Sequence, residues 1–477
     1  LKKNTIIGGI ALLLAIGATT AFLLLPSKNA SADGGRFTVH FTCDTFGRLE
    51  PCGCFTGQHG GLTRLRTWLE NRENPKQAIK VDVGGAIAGQ ADYDIIQYRY
   101  LARAYATMGF AALNMGAREA AIPAATLKEL SRSSPVPMLS ASLARTEDRQ
   151  NILEPYRIIE KDGTRIGILG VVSPKSVPNP SEGLIVLNLN EAIDRHLPAL
   201  LEKTDIVFLL AFAKETELRQ LASDYFEFAL ILGGDVDGPT QEIIGENDSI
   251  ILFTTNQART VGTLEGRFEK RTRTHIADPT YQIELLKESI PQDAGLRELV
   301  SSYRKKISET PLDIDSEVQS DPNAIPGVTS TATYVGSESC KQCHAEDYEI
   351  WSKSGHAHAF ETLEKIDSQA DPHCVKCHTV GFGKPSGYRR PLGGESSLTD
   401  VGCESCHGPA SEHIARYRDG KPNNFQFRPL GPGDCTTCHY GEFSRPFNWD
   451  EFWPPISHGK QDKGKSEEKH PEVNSPR

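Results

Sequence analysis

The stretch Val401–His413, "VGCESCHGPASEH", places two cysteines and two histidines within eleven residues, Cys403 to His413. The chain of 477 residues has only 11 Cys and 14 His, so this density marks a site. Cys403, Cys406 and His407 form a Cys-x-x-Cys-His pattern that recurs three times: "CKQCH" at Cys340–His344, "CVKCH" at Cys374–His378 and "CTTCH" at Cys435–His439. The four copies use eight of the 11 cysteines: Cys340, Cys343, Cys374, Cys377, Cys403, Cys406, Cys435 and Cys438. Residues i, i+3 and i+4 share one face of a helical turn. Two thiols so placed can form thioether bonds with the vinyl groups of a haem, while the imidazole of His344, His378, His407 or His439 coordinates its iron from below. Zinc ribbons also pair cysteines at this spacing, but they do not require a histidine directly after the second one. Four covalently bound haems c are expected.

The other side of each iron needs a second ligand. The three methionines, Met108, Met115 and Met138, all lie far upstream of the first motif. The remaining histidines of the region are His356, His358, His373, His413, His458 and His470. Bis-histidine ligation and low potentials are therefore expected. From Gly336 to His458 the chain is rich in Gly, Pro, Ser and charge and poor in aliphatic residues. Such a segment cannot build a core of adequate size from its own side chains, so haems would supply the apolar area, wrapped in short helices and loops.

The segments "YVGSESCKQCHAEDYEIWSKSGHAHAF", "DPHCVKCHTVGFGKPSGY", "VGCESCHGPASEH" and "CTTCHYGEFSRPFNWDEFWPPISH" resemble, in order, the tetrahaem cytochromes of the c-554 type, from Tyr334 to His458. The resemblance implies distal iron ligands at His356, His413 and His458, with His413 reaching to a neighbouring haem. The family leaves one haem five-coordinate, and His358 and His373 are spare candidates for that position. Closely packed haems share edges and would pass electrons, so redox partner proteins are expected, and stacking of haem domains is one route to an oligomer. A haem enzyme acting on a small nitrogen or sulfur compound at an open iron is the alternative.

At the N-terminus Lys2 and Lys3 precede an uncharged run from Thr5 to Leu25, long enough to span a bilayer, and Pro26 ends it. Ala30-Ser31-Ala32 fits a cleavage site. Residues 1–32 thus read as a signal peptide or as an anchor associating with the membrane, and both readings export the remainder to the periplasm or cell surface. A net charge of −10 argues against nucleic acid as a partner.

A chain this long requires more than one core. From Arg36 to about Leu286, strands such as "RFTVHFTC", "AIKVDVGG", "FAALNMG", "DIVFLLAF", "FALILGG" and "SIILFTT" alternate with helical stretches at Ile95–Met108, Leu189–Glu202 and Glu215–Ala222. "YRIIEKDGTRIGILGVV" reads as a hairpin turning at Asp162-Gly163. "ELVSSYRKKI" reads as a closing helix, and the polar, proline-containing stretch 309–333 as a linker. The expected organisation is a layered α/β sandwich over residues 36–308, a small haem-packed, mostly α and irregular domain over 334–458, and a charged, disordered tail over 459–477.

The glycine-marked strand ends "CDTFGRLEP", "VDVGGAIAG", "GFAALNMGAREA", "IVFLLAFA" and "ALILGGDVD" follow the order used by the 5′-nucleotidase branch of the metallophosphoesterases, which this region resembles. That family holds two metal ions there. Carried over position by position, Asp44 is retained, whereas Phe46 replaces a His, Gly85 an Asp, Ala117 and Arg118 an Asn-His pair, and Phe212 another His. Asp235 and Asp237 stand where the last His-x-His belongs. A phenyl ring or a glycine donates no lone pair, so absence of phosphoesterase activity is expected. Cys43, Cys52 and Cys54 remain. Cys52, Cys54 and His59 suit a soft metal, while an exported disulfide from Cys43 to Cys52 or Cys54, or free thiols, are the alternatives. His40, His196 and His275 read as structural.

Overall fold

A computed structural model describes residues 33–51, 58–72, 77–255, 257–269, 275–312, 332–390, 396–420, 430–440 and 446–459. The N-terminal segment, the Cys52–Cys54 pair, most of the linker, His470 and the tail beyond Gly459 lie outside these residues. Among the described residues no helix is long and apolar enough to cross a membrane.

Fourteen strands are placed in chain order: β1 (Asp33–Thr42), β2 (Ile79–Asp82), β3 (Ala112–Asn114), β4 (Met138–Leu139), β5 (Leu143–Arg145), β6 (Tyr156–Lys161), β7 (Thr164–Val172), β8 (Leu184–Val186), β9 (Ile206–Phe212), β10 (Phe228–Gly234), β11 (Ile244–Glu246), β12 (Ser249–Phe253), β13 (Thr260–Glu269) and β14 (Ile276–Leu285). They form two six-stranded sheets, ordered β14-β13-β1-β2-β3-β4 and β11-β12-β10-β9-β7-β6, with β5 and β8 paired separately. The second sheet has a parallel centre and antiparallel edges, whereas the first is parallel from β1 to β4 and antiparallel only across β14-β13-β1. The expected hairpin is β6–β7, and Asp162 and Gly163 both take the positive φ its turn requires.

The seven residues of β9 are all buried, and their alternation explains why. Ile206, Phe208, Leu210 and Phe212 enter the core between the sheets, with Phe37 and Phe268 beside Phe208. Val207, Leu209 and Ala211 face the opposite core, built with the helices Leu189–Leu201 and Glu215–Asp224. A strand covered on both faces reads as a continuous apolar run.

The closing helix spans Ala294–Glu309, capped by the Asp293 side chain, and buries Leu296, Val300, Tyr303 and Ile307. It joins the two regions. The Tyr303 hydroxyl donates to Asp371 Oδ2 at 2.9 Å, and Arg390 donates to the carbonyls of Ile307 and Thr310 at 2.6 and 2.7 Å. Among the described residues beyond 332 the chain forms short helices, turns and one isolated bridge, Thr379 to Thr399, and its apolar cluster is Leu363, Val375 and Tyr388.

Candidate functional site

Each Cys-x-x-Cys-His motif folds as a helical turn. Cys403–His407 is itself a helix, and Pro372–His378 contains the second motif. In the first and fourth motifs the histidine N–H donates to the carbonyl of the first cysteine, at 2.9 Å for both His344 and His439. The motifs also meet across the chain. The thiols of Cys340 and Cys403 are neighbours, as are those of Cys377 and Cys438. Glu404, a variable position inside the third motif, is buried and accepts the backbone N–H groups of Val335, Gly336 and Ala410. It fastens the entrance of this region to the third motif.

A cavity of about 2680 Å³ lies among these turns. This is several times the roughly 300–1,000 Å³ that suits one drug-sized ligand. All eight motif cysteines, all four motif histidines, and His356, His373, His413 and His458 line it. Three histidine pairs face each other: His344 with His413 at 6.2 Å between ring centres, His439 with His356 at 6.0 Å, and His407 with His458 at 5.9 Å. An iron bound by two imidazole nitrogens at about 2.0 Å each sets the ring centres roughly 6 Å apart. The donor set and its spacing therefore fit a haem iron in each pair.

The protonation of these rings suits ligation. Burial, then the neighbouring His439 and His378, hold His356 below its ordinary range, and burial followed by His458 and His344 does the same for His407. A neutral ring keeps the lone pair that a metal needs. Nδ1 of His378 bonds the Ala359 carbonyl at 2.6 Å, and Nδ1 of His458 bonds that of Ile456 at 2.8 Å. Such bonds fix the tautomer and leave Nε2 as the ligand atom.

The two spare histidines are turned elsewhere. His358 is exposed, with Nδ1 on Glu361 and Nε2 on the Ser352 carbonyl, bonds that raise its pKa and favour the imidazolium, which has no lone pair. It does not line the cavity. His373 lies across the boundary between the regions, its Nε2 3.0 Å from Asp94 Oδ1 and its ring edge-on to Tyr93. Both spares thus face groups other than His378.

At the ends of the α/β sheets, Arg118 is the central group. Its guanidinium sits 2.9 Å from Asp44 Oδ1, donates to the carbonyls of Gly85 and Ile87, and lies 4.3 Å from the Phe46 ring centre. A Cβ at Gly85 would fall 2.4 Å from Asp44 Oδ1, and φ there is +74°. Glu119 braces the same loops through the N–H groups of Gly85, Ile87 and Gly116. Lys214 donates to Asp235 Oδ1 at 2.9 Å, and Ser176 to its Oδ2 at 2.6 Å. Below them Asp82 is fully buried, and burial pushes its pKa up to about 7 against hydrogen bonds from Thr42, Tyr105 and Gly84. Among the described residues no three His, Cys, Asp or Glu side chains are grouped to hold a metal ion.

The disulfide alternative for Cys43 has no partner among the described residues. Cys43 is a free, buried thiol that bonds the Gly84 carbonyl, wedged where a Cβ on Gly234 would stand 2.2 Å away. Cys52 and Cys54 lie outside the described residues. His59, the third member of that set, has its buried Nδ1 without a hydrogen-bond partner among the described residues. His40 and His196 are structural: His40 bonds Thr263 and is held near pKa 3, chiefly by burial, and His196 bonds Asn151.

Residues 339–408 match the family model described as cytochrome c554 and c-prime. Over 110 residues the chain is 35% identical to cytochrome c-554 of Nitrosomonas europaea, an alignment covering 19% of this chain and 45% of that protein. The chain thus spans less than half the length of that relative. The similarity to a c-type cytochrome is thus confined to the region that holds the Cys-x-x-Cys-His motifs. Among solved structures, the sulfate thiohydrolase SoxB of Thermus thermophilus superposes with a TM-score of 0.50 at 13% identity, covering 56% of this chain and 60% of that one. The 5′-nucleotidase precursor of Thermus thermophilus gives 0.49 at 21% identity, covering 57% and 59%. The two-sheet architecture of residues 33–309 thus resembles the fold of that SoxB structure.

Proposed function

We propose that this chain is an exported tetrahaem c-type cytochrome that carries electrons between redox partner proteins, joined to a metallophosphoesterase-like domain that serves docking and assembly. The supporting observation is the set of three facing histidine pairs, each spaced for one iron. The fourth haem rests on Cys435–His439, whose turn repeats the others and which lies beyond the family match. When bound, haem c supplies the one-electron chemistry. The chain holds the cofactors by eight thiols and presents oriented imidazoles from two sides. Histidine on both sides keeps potentials below those of His/Met centres. Export through residues 1–32, membrane association there, and stacking of C-terminal regions between copies belong to the same proposal.

Loss of phosphoesterase activity follows from Arg118 and Lys214. Two divalent ions need carboxylates and imidazoles to clamp and activate water. Here Asp44 and Asp235 already have cationic partners, and Gly85 leaves no room for a restored carboxylate.

His358 and His373 favour one variant of this reading. Both face other groups, and on the second reading neither serves the iron above His378, where chemistry on a small nitrogen or sulfur compound takes place. One experiment separates them. A pyridine haemochrome assay is expected to give four haems per chain, and carbon monoxide is expected to leave a low-spin spectrum unchanged. Carbon monoxide binding by one haem in four favours the second reading. A haem-free protein overturns both, and phosphate release from nucleotides with added manganese overturns the loss of metal chemistry.

A further inference from the structure

One wall of the cavity belongs to the α/β region. The closing helix Ala294–Glu309 turns Arg297, Val300, Ser301 and Arg304 toward it, a spacing that marks one helical face. The loop from Gly47 to Pro51 completes that wall. The helix is anchored beside the second motif, because Tyr303 bonds Asp371, and Asp371 caps the helix carrying Cys374 and Cys377.

The charges on this wall are not spent alike. Arg304 is paired with Glu50, whose carboxyl burial raises and whose neighbours Arg304 and Arg297 lower. The guanidinium of Arg297 makes no hydrogen bond or ion pair with any described residue. Its donors face a cavity lined by haem-attachment residues. Every haem brings two propionate carboxylates, and the planar fork of arginine matches a carboxylate in bidentate fashion.

We propose that Arg297, with Arg304 beside it, binds a propionate of the haem attached at Cys374 and Cys377, so that the α/β region forms part of a cofactor site. This rests on the reading that haems fill the cavity. A fixed positive charge near the iron favours the added electron and raises the reduction potential. Arg297 is thus a positioning and potential-setting residue, and Glu50 opposes it.

The test is a spectroelectrochemical titration of the full-length holoprotein at pH 8, with haem counted first in every variant. With four haems retained, Arg297→Gln is expected to move one of the four one-electron steps negative by about tenfold in its equilibrium, 59 mV for one electron. Arg297→Lys is expected to keep most of that potential. Glu50→Gln is expected to move the same step positive, a sign that loosened packing does not produce. Unchanged steps in Arg297→Gln overturn the proposal, as do four steps moving together. A wild-type protein without four haems overturns the underlying reading instead, before any titration.

Discussion

The two regions of this chain solve the same folding problem with different material. Residues 33–309 bury two continuous apolar cores, and β9 alone contributes seven buried residues to them. From 332 to 459 the described residues include three buried apolar residues in one cluster, arranged beside a cavity of about 2680 Å³. Area removed from water stabilises at roughly 25 cal/mol per Å², so the second region has little of its own with which to offset chain entropy. Its fold is encoded in the placing of cysteines and histidines. The first region's fold is encoded in hydrocarbon, and the polar groups at its strand ends are not what holds it together.

The largest effect that separates the two is cofactor loss. Replacing Cys403 and Cys406 with Ala removes the attachment point at the centre of the smaller region. The expected result is one haem fewer per chain and loss of protease protection over 332–459, while a resistant fragment near 33–309 persists. Limited proteolysis with mass spectrometry reads both. A C-terminal region that stays protected without that haem would break the comparison.

The converse change strikes hydrocarbon. Phe208 is 1% exposed and packs against Phe37 and Phe268 between the sheets. Phe208→Ala is expected to cost about 3–5 kcal/mol in chemical denaturation, through lost transfer energy and the cavity left behind. The visible spectrum of attached haem is expected to stay unchanged. A shifted haem spectrum would mean that the regions are coupled more tightly than their separate cores imply.

Much of this division was legible in the sequence, and where it was not, the cause is distance along the chain. β9 and the β6–β7 hairpin were readable because their signals are local: an apolar run, and Asp-Gly between alternating strands. The four motifs were readable because haem attachment demands five residues in a row. Arg118 stands 74 residues from Asp44, so the sequence offered two separate positions and not one ion pair. His373 resembled a spare ligand because it adjoins Cys374, but its neighbour is Asp94 in the other region. Glu404 occupies a position where the motif tolerates any residue, and its burial depends on Val335 and Gly336, 69 and 68 positions earlier. Cys43 looked like half of a disulfide, whereas its side chain is consumed by packing against Gly84 and Gly234.

The smallest effect tests whether the regions are one folding unit or two. Tyr303→Phe keeps the ring's packing against Tyr100 and deletes only the hydrogen bond to Asp371. Asp371 is buried and still accepts from the His373 N–H, so one acceptor site is left unfilled. Hydrogen bonds to charged groups contribute about 1.5–3 kcal/mol. If the regions unfold together, the whole transition is expected to shift by that amount. If they are separate units, the loss falls on docking: the α/β transition stays near its wild-type midpoint, and amide exchange rises selectively over Asp371–His378 and the exposed face of the closing helix. Large buried cores on one side and cofactors on the other favour the second outcome, because the contact between the regions consists of a few polar bonds and one helix face. A single shifted transition would show that the closing helix belongs to both regions equally.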